Sequence, residues 1–335
     1  MSQERGGRGG RPTAIDDAVG EAFESLRPLL FSIAYRMVSS VSEAEDLIQE
    51  SFVRYQHALA EGVEIESPKA YLSAVVTRLS IDHLRSARVR REQYVGEWLP
   101  EPLVTDDGQD DPAEIAEQAD SLSMSFLVLL ERLSPIERAV FLLHDVFDYG
   151  FDEIATIVGR SAATCRQHAV RARRRIEAER PRFDVSAKER DELVGRFFAA
   201  SRDGDVDRLI EMLAEDVIVY GDGGGKVPQW AAPIEGADRV ARLIAGLGRQ
   251  MVDLGGRFEP LRVNGQPGAI LRSLSGGVTG VMSFEVVDGR VRTIRSIVNP
   301  DKLRHLGPVT DLRTVLDEGR DAVRQGSPPP VQPEG

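Results

Sequence analysis

The side chains best placed to do chemistry lie between Arg160 and Arg182, where eight arginines stand against two glutamates. Within that stretch Cys165, Ala169, Ala172 and Ile176 follow one another at steps of four, three and four. That spacing sets one apolar stripe along a helix. The remaining faces carry Arg166, Gln167, His168, Arg171, Arg173, Arg174 and Arg175. Arginine can bond guanine through two donors, and glutamine can do the same for adenine. Arg166 and Gln167, near the helix start, are therefore the candidates for base edges, and Arg171, Arg173 and Arg174 the candidates for phosphate. His168 reads as a surface or phosphate contact rather than a base catalyst. The competing reading of the same charges is a solvated basic helix. Cys165 falls on the apolar stripe and reads as a small core residue. As the single cysteine it excludes an intrachain disulfide and a Cys-rich zinc site. No metal or cofactor is expected.

A helix of this kind needs neighbours to aim it. Ser134-Pro135-Ile136-Glu137 is a capping box with proline at the first helical position, predicting a helix to about Phe147. A short helix over 151–158 follows, ended by Gly159, and Ser161 can cap the arginine-rich helix. Helix, short turn, basic helix is the plan that lays a recognition helix in the major groove.

The chain has 335 residues and a formal net charge of −12, which taken alone argues against nucleic acid. The charge is uneven. Residues 67–96 carry six basic and two acidic side chains, whereas residues 97–120 carry nine acidic and none basic. No apolar run reaches the roughly 18 residues of a membrane span, and the Gly/Arg-rich start lacks the apolar core of a secretory signal. Neither a membrane partner nor export is expected.

Stretches of different composition predict an organisation. Residues 1–14 read as disordered, 15–96 as an all-helical domain, and 97–120, with Pro100, Pro102 and Pro112, as an acidic linker. A second helical domain covers 121–182. In the first domain Pro28 suggests a helix start or kink, Ser42 a cap ahead of Glu43 and Glu45, and Ser67-Pro68 a further helix start. Beyond Pro181 the pattern changes to helices over 187–202, 205–213 and 237–251. Strands are predicted over 217–220, 257–263, 269–274, 278–287 and 290–298, punctuated by Gly265, Gly268 and Asp288-Gly289. This gives an α+β domain over 186–303. A tail over 304–335 holds one weak helix, about 309–323, and a Pro-rich end.

Two helical blocks joined by an acidic linker, the second ending in a helix-turn-helix, resemble an extracytoplasmic-function (ECF) sigma factor of bacterial RNA polymerase. Phe31-Ser-Ile-Ala-Tyr-Arg-Met-Val and Ala44-Glu-Asp-Leu-Ile-Gln-Glu-Ser-Phe52 look like its region 2. The resemblance implies that Asp46, Gln49 and Glu50 dock on the clamp helices of the polymerase largest subunit. Residues 68–85 look like the helix that reads and melts the minus-10 element, with Arg78, Asp82, Arg85, Arg88 and Arg91 as its polar contacts. The helix-turn-helix would then hold the minus-35 element. Three short motifs at the domain junctions sharpen the likeness. Trp98-Leu-Pro-Glu-Pro102, Asp222-Gly-Gly-Gly-Lys226 and Asn299-Pro-Asp-Lys-Leu303 resemble the subgroup with a fused SnoaL-like domain, a cone-shaped α+β barrel. The resemblance implies a multidomain chain whose C-terminal domain regulates the two sigma domains, acting in the cytoplasm at the nucleoid with core polymerase and promoter DNA as partners.

Trp98, Pro100 and Pro102 would anchor the linker. Asp222, Gly223, Gly224, Gly225 and Lys226 read as a glycine-rich docking turn, and Asn299, Pro300, Asp301 and Lys302 as the exit from the last strand. Tyr220, Asp222 and Trp230 are expected at a pocket mouth, where a small-molecule ligand could sit. His305 is the single histidine after residue 187, and no pair of titratable groups there has acid/base spacing, so the chain is not expected to be an enzyme. The alternatives from other classes are a ligand-responsive repressor and an enzyme with an accessory DNA-binding domain.

Overall fold

The computed structural model describes residues 14–92, 94–105, 121–177, 186–227, 229–230, 232–310 and 315. The glycine-rich start, most of the acidic stretch and nearly all of the stretch expected to form a tail helix and Pro-rich end lie outside the described residues.

Helices α1 (Ala14–Val38), α2 (Val41–Ala60) and α3 (Pro68–Glu92) form the first group. Leu30, Ile33 and Met37 on α1 meet Ile48 on α2 and Leu72 and Val76 on α3, all buried. Helix α1 begins at Ala14 and runs through Pro28 rather than starting there. Proline removes one helical bond, but the buried stripe on its C-terminal side holds the helix together. The N-cap of α2 is Ser40, which accepts the Glu43 N–H at 3.2 Å, and not Ser42. Ser42 sits in the first turn, where its N–H and hydroxyl turn to Glu101. Ser67 caps α3, accepting from the Ala70 N–H at 3.2 Å.

The second group is α4 (Met124–Leu130), α5 (Pro135–Phe141), α6 (Phe151–Val158) and α7 (Ala162–Glu177). The capping box at Ser134 and Glu137 is formed. The helix expected to reach Phe147 changes at Leu142–Val146 into a wider π turn. Gly159 ends α6 at φ 66, a left-handed conformation that glycine adopts without strain. Both groups contribute to one continuous apolar cluster, in which Phe126, Leu130, Ile154 and Ile157 join the residues of α1 to α3.

The third part is α+β: α8 (Ala187–Asp203), α9 (Val206–Met212) and α10 (Ala237–Asp253) with a seven-stranded sheet. The strands are β1 (Val104–Thr105), β2 (Leu213–Asp222), β3 (Ile234–Glu235), β4 (Arg257–Val263), β5 (Gln266–Arg272), β6 (Val278–Val287) and β7 (Arg290–Ile297). Their order is β1-β4-β5-β6-β7-β2-β3, antiparallel except for β2 beside β7. Strand β2 is longer than expected and takes Leu213 from the preceding helix. Gly268, expected as a break, lies inside β5 opposite Leu261, because Asn264-Gly265 alone makes the turn, at φ 54 and 71. Val309, expected to start the tail helix, forms a parallel bridge with Val278.

One set of buried sheet residues packs with the helices, through Phe197, Phe198, Ile244 and Phe284. Another packs with Leu99 of the linker and Met124 of α4, through Val263, Ile270, Val281 and Ile297. Strand β6 is buried along almost its whole length, as a strand covered on both faces must be. The linker is therefore no simple spacer at its start. Its residues Val104 and Thr105 pair with Val263 and Arg262 as an edge strand.

Candidate nucleic-acid interface and interdomain latch

Helix α7 presents the arrangement its spacing predicts. Cys165, Ala169, Ala172 and Ile176 are buried, and burial pushes the Cys165 thiol up, against the pull of Arg160 and Arg166. Gln167, Arg171 and Arg174 are exposed. Arg166, also exposed, stands over the Phe151 ring at 5.4 Å. Burial and then Arg171 hold His168 below the usual histidine range, so it is neutral at pH 7. Part of the basic face is spent inside the domain. Arg173 pairs with Asp145 at 2.5 Å, and Arg175 with Glu137 at 3.0 Å. Burial raises the Glu137 carboxyl, but Ser134 and the two arginines Arg175 and Arg171 outweigh it and keep it low. These pairs fasten α7 onto α5 and the π turn that follows it.

On α2, Asp46, Gln49 and Glu50 lie exposed, with Glu50 paired to Arg54 at 2.8 Å. On α3, Asp82 and Arg85 are exposed and paired with each other at 2.9 Å. The side chains of Arg88 and Arg91 lie outside the described residues. Arg78 does not stand free for DNA. Its Nε donates to the Ile157 carbonyl and its Nη2 to the Thr156 carbonyl, both at 2.8 Å. It thereby satisfies carbonyls at the C-terminal end of α6, and α3 is bolted to the helix-turn-helix. Two buried arginines reinforce that closure. Arg138 donates to the Leu130 and Met37 carbonyls at 2.9 and 2.5 Å and pairs with Glu131, and burial lowers it to about 9. Arg36 reaches the Ser121 carbonyl at 3.2 Å, and burial lowers it to about 10. Both remain charged at neutral pH.

The three short motifs at the domain junctions converge on one buried polar cluster. Asp222 is 1% exposed. It accepts from the Leu99 N–H at 2.9 Å, the Gly224 N–H at 3.1 Å, the Lys302 ammonium at 2.7 Å and the Tyr94 hydroxyl. Lys302 also donates to the Leu99 carbonyl and lies over the Trp98 ring at 4.3 Å. Asn299 donates to the Tyr94 hydroxyl at 2.8 Å. Burial, then the bond to Asp222, pushes the Tyr94 phenol well up, so it stays a donor. Gly224 is at φ 61, and a Cβ there would collide with the Asn299 amide. Lys226 and Asp301 close the cluster at its exposed rim.

Pro100 and Pro102 bracket Glu101, which points the other way, to the first helical group. Its carboxylate accepts from the Val41 and Ser42 N–H groups at 2.7 and 3.1 Å and from the Ser40 hydroxyl at 2.8 Å. A carboxylate at a helix N-terminus meets unpaired N–H groups and the positive end of the helix dipole. Asn264 completes the junction. Its amide donates to the Tyr35 hydroxyl at 2.7 Å and the Leu122 carbonyl at 3.1 Å, and its oxygen accepts from the Leu103 N–H at 3.0 Å. His305 meets the Pro102 carbonyl at 2.7 Å. The linker thus touches all three parts of the chain within a few residues.

Sequence reasoning missed Tyr94, Glu101 and Asn264. Glu101 carried one signal, a lone acid between prolines. Asn264 carried none. Of the expected pocket-mouth residues, Trp230 lines a cavity in the C-terminal domain. Asp222 belongs to the latch, and Tyr220 to the apolar cluster around Leu99 and Met124. Among the described residues there is no His/Cys/Asp/Glu group that could hold a metal ion, and no helix long and apolar enough to cross a membrane.

The Sigma-70 region 2 family model matches residues 22–90, and that of Sigma-70, region 4, matches residues 123–176. The chain is 39% identical over 289 residues to the ECF RNA polymerase sigma factor SigJ of Mycobacterium tuberculosis, covering 84% of this chain and 91% of that protein. It is 33% identical to the probable ECF RNA polymerase sigma factor SigI of the same species, covering 86% and 95%. The crystal structure of M. tuberculosis SigJ superposes with a TM-score of 0.68 at 36% identity, covering 85% of this chain and 98% of that one. The chain belongs to the ECF RNA polymerase sigma factors. Regions 2 and 4 are its two helical groups, and a sheet-containing domain follows them.

Proposed function

We propose that this chain binds core RNA polymerase, recognises the minus-35 and minus-10 elements of its promoters and starts transcription, with its C-terminal domain setting when it does so. The carrying observation is that one chain joins the α2 acidic surface to a basic recognition helix in the order of sigma regions 2 and 4. Asp46, Gln49 and Glu50 dock on the clamp helices of the largest subunit. Arg166 and Gln167 read base edges of the minus-35 element, with Arg171, Arg174, His168 and, once released from Asp145, Arg173 on the backbone. Arg78, Asp82, Arg85, Arg88 and Arg91 serve the minus-10 element. The work is done in the cytoplasm, at the nucleoid.

The packed arrangement is the resting one. Arg78 is engaged by α6, and the two DNA-reading groups share an apolar core, so they separate before they reach two promoter elements at once. The domain boundaries follow the same logic: region 2 over 15–96, the linker over 97–120, region 4 over 121–182, the regulatory domain over 186–303 and a tail over 304–335. Trp98, Pro100 and Pro102 with the 222–226 and 299–302 motifs form the regulatory latch.

The test is run-off transcription on genomic fragments with core polymerase and the full chain. A discrete transcript that depends on the chain is expected. Absence of any transcript over the whole fragment set overturns the proposal. Arg171→Ala is expected to weaken holoenzyme binding to the selected promoter and to lower the dependence of log K on log salt by about one contact, a slope change of roughly 0.9. Arg171 is 54% exposed and only loosely held by Glu137 at 3.6 Å, so its loss leaves the fold in place. An unchanged slope removes it from the phosphate contacts.

A further inference from the structure

We infer that the cavity of the C-terminal domain binds a neutral, largely apolar molecule, about two fused rings in size. The cavity measures about 240 Å³. A cavity of about 150 Å³ lined by apolar side chains takes benzene, so this one has room for a second ring. Phe197, Phe198, Phe258, Ile244, Met251 and Met282 supply much of its wall.

Charge selects the ligand class. Among the described lining residues there is no Asp, Glu, Lys, Arg or His. An ionised guest would shed its hydration and meet no counter-charge, at a cost of several kcal/mol or more. The same lining offers no group to move a proton at neutral pH, so the guest is held rather than turned over.

Polar groups in the wall are turned to the protein itself. The Ser201 hydroxyl already donates to the Ile244 carbonyl at 3.2 Å and the Thr279 hydroxyl to the Leu271 carbonyl at 3.1 Å. The Trp230 Nε1–H has no partner among the described residues, but its ring edge is packed against Gly221 so closely that a Cβ there would overlap it. Trp230 therefore adds an aromatic face to the wall rather than a donor.

The position of the cavity links it to the latch, a clause that rests on the initiation reading above. Val227 and Pro300 line it, one next to Lys226 and the other between Asn299 and Asp301. Val309, Thr310 and Val315 line it as well. A guest that touches both latch loops favours the arrangement in which they are together. Occupancy therefore holds the latch closed and lowers transcription.

The experiment titrates the full-length protein with 6-propionyl-2-(dimethylamino)naphthalene, a neutral two-ring ketone whose emission moves to the blue in apolar surroundings. Saturable binding with a blue shift is expected, with 2-naphthoate, a charged two-ring comparator, binding at least tenfold more weakly. Ser296→Leu fills the cavity and abolishes binding. Thermal unfolding run in parallel shows whether the variant is folded, and the comparison with the naphthoate carries the test if it is not. No saturable binding, equal affinity for the naphthoate, or wild-type affinity in folded Ser296→Leu overturns the site. Binding is read on free protein, so its failure is distinct from failure of initiation. Bound ketone that leaves run-off transcription unchanged removes the latch clause alone.

Discussion

Asp222→Ala is expected to destabilise the chain by about 3–5 kcal/mol, the usual result of leaving one partner of a buried ion pair without the other. Lys302 is 8% exposed at its side chain and Asp222 0%, so the stranded ammonium has little water to turn to. The loss extends beyond the pair. The Tyr94 hydroxyl and the Leu99 and Gly224 N–H groups lose their acceptor at the same time. The measurement is chemical unfolding together with limited proteolysis. The unfolding midpoint should fall, and cleavage should appear between residues 94 and 105, which the wild type shields. The double variant Asp222→Leu with Lys302→Met should recover much of the stability, because apolar residues of similar volume replace buried ion pairs well. A single variant with wild-type stability and an uncut linker would show that the motifs adjoin one another without holding the domains together.

Asp46→Arg is expected to weaken binding to core polymerase by roughly 30- to 1,000-fold, corresponding to about 2–4 kcal/mol for a charge reversed against a complementary surface. Asp46 is exposed on α2, and arginine is a good helix former. The fold should therefore survive, with an unchanged unfolding midpoint. Sedimentation with core polymerase and run-off transcription are the readouts. The same variant separates initiation from the repressor alternative. A repressor that acts without polymerase would keep operator binding and be indifferent to residue 46, whereas a sigma factor would lose its transcripts. Wild-type binding to core would remove the α2 face from the docking surface.

Periodic features were legible in the sequence. The 165, 169, 172, 176 stripe, the capping box at Ser134, and the strands at 257–263 and 278–287 follow from spacing that the local chain alone decides. The three motifs could be named, but not their geometry, because Asp222, Leu99 and Lys302 are scores of residues apart and meet only through the tertiary fold. The cap of α2 was misassigned for the same reason. Ser42 has the right residue type, but α2 already begins at Val41, whose N–H goes to Glu101 from 60 residues away, and Ser40 stands at the cap. Arg78 reads as a free basic residue in any one-dimensional analysis, since its partners are backbone carbonyls, which every sequence has.

The pairing of Val104 and Thr105 with β4 sets the length of a leash. From Thr105 to Ser121 the chain can reach at most about 55 Å when drawn straight. Two promoter elements some 25 base pairs apart are roughly 85 Å apart along the duplex. While the edge strand stays paired, the rope between the two readers is too short for the job. Peel the strand and the Tyr94–Leu103 segment away, and the free length from Glu92 to Ser121 rises to about 100 Å. In the initiation proposed above, the sheet of the C-terminal domain acts as a cleat, and loosening it frees enough line for one molecule to grasp both sites.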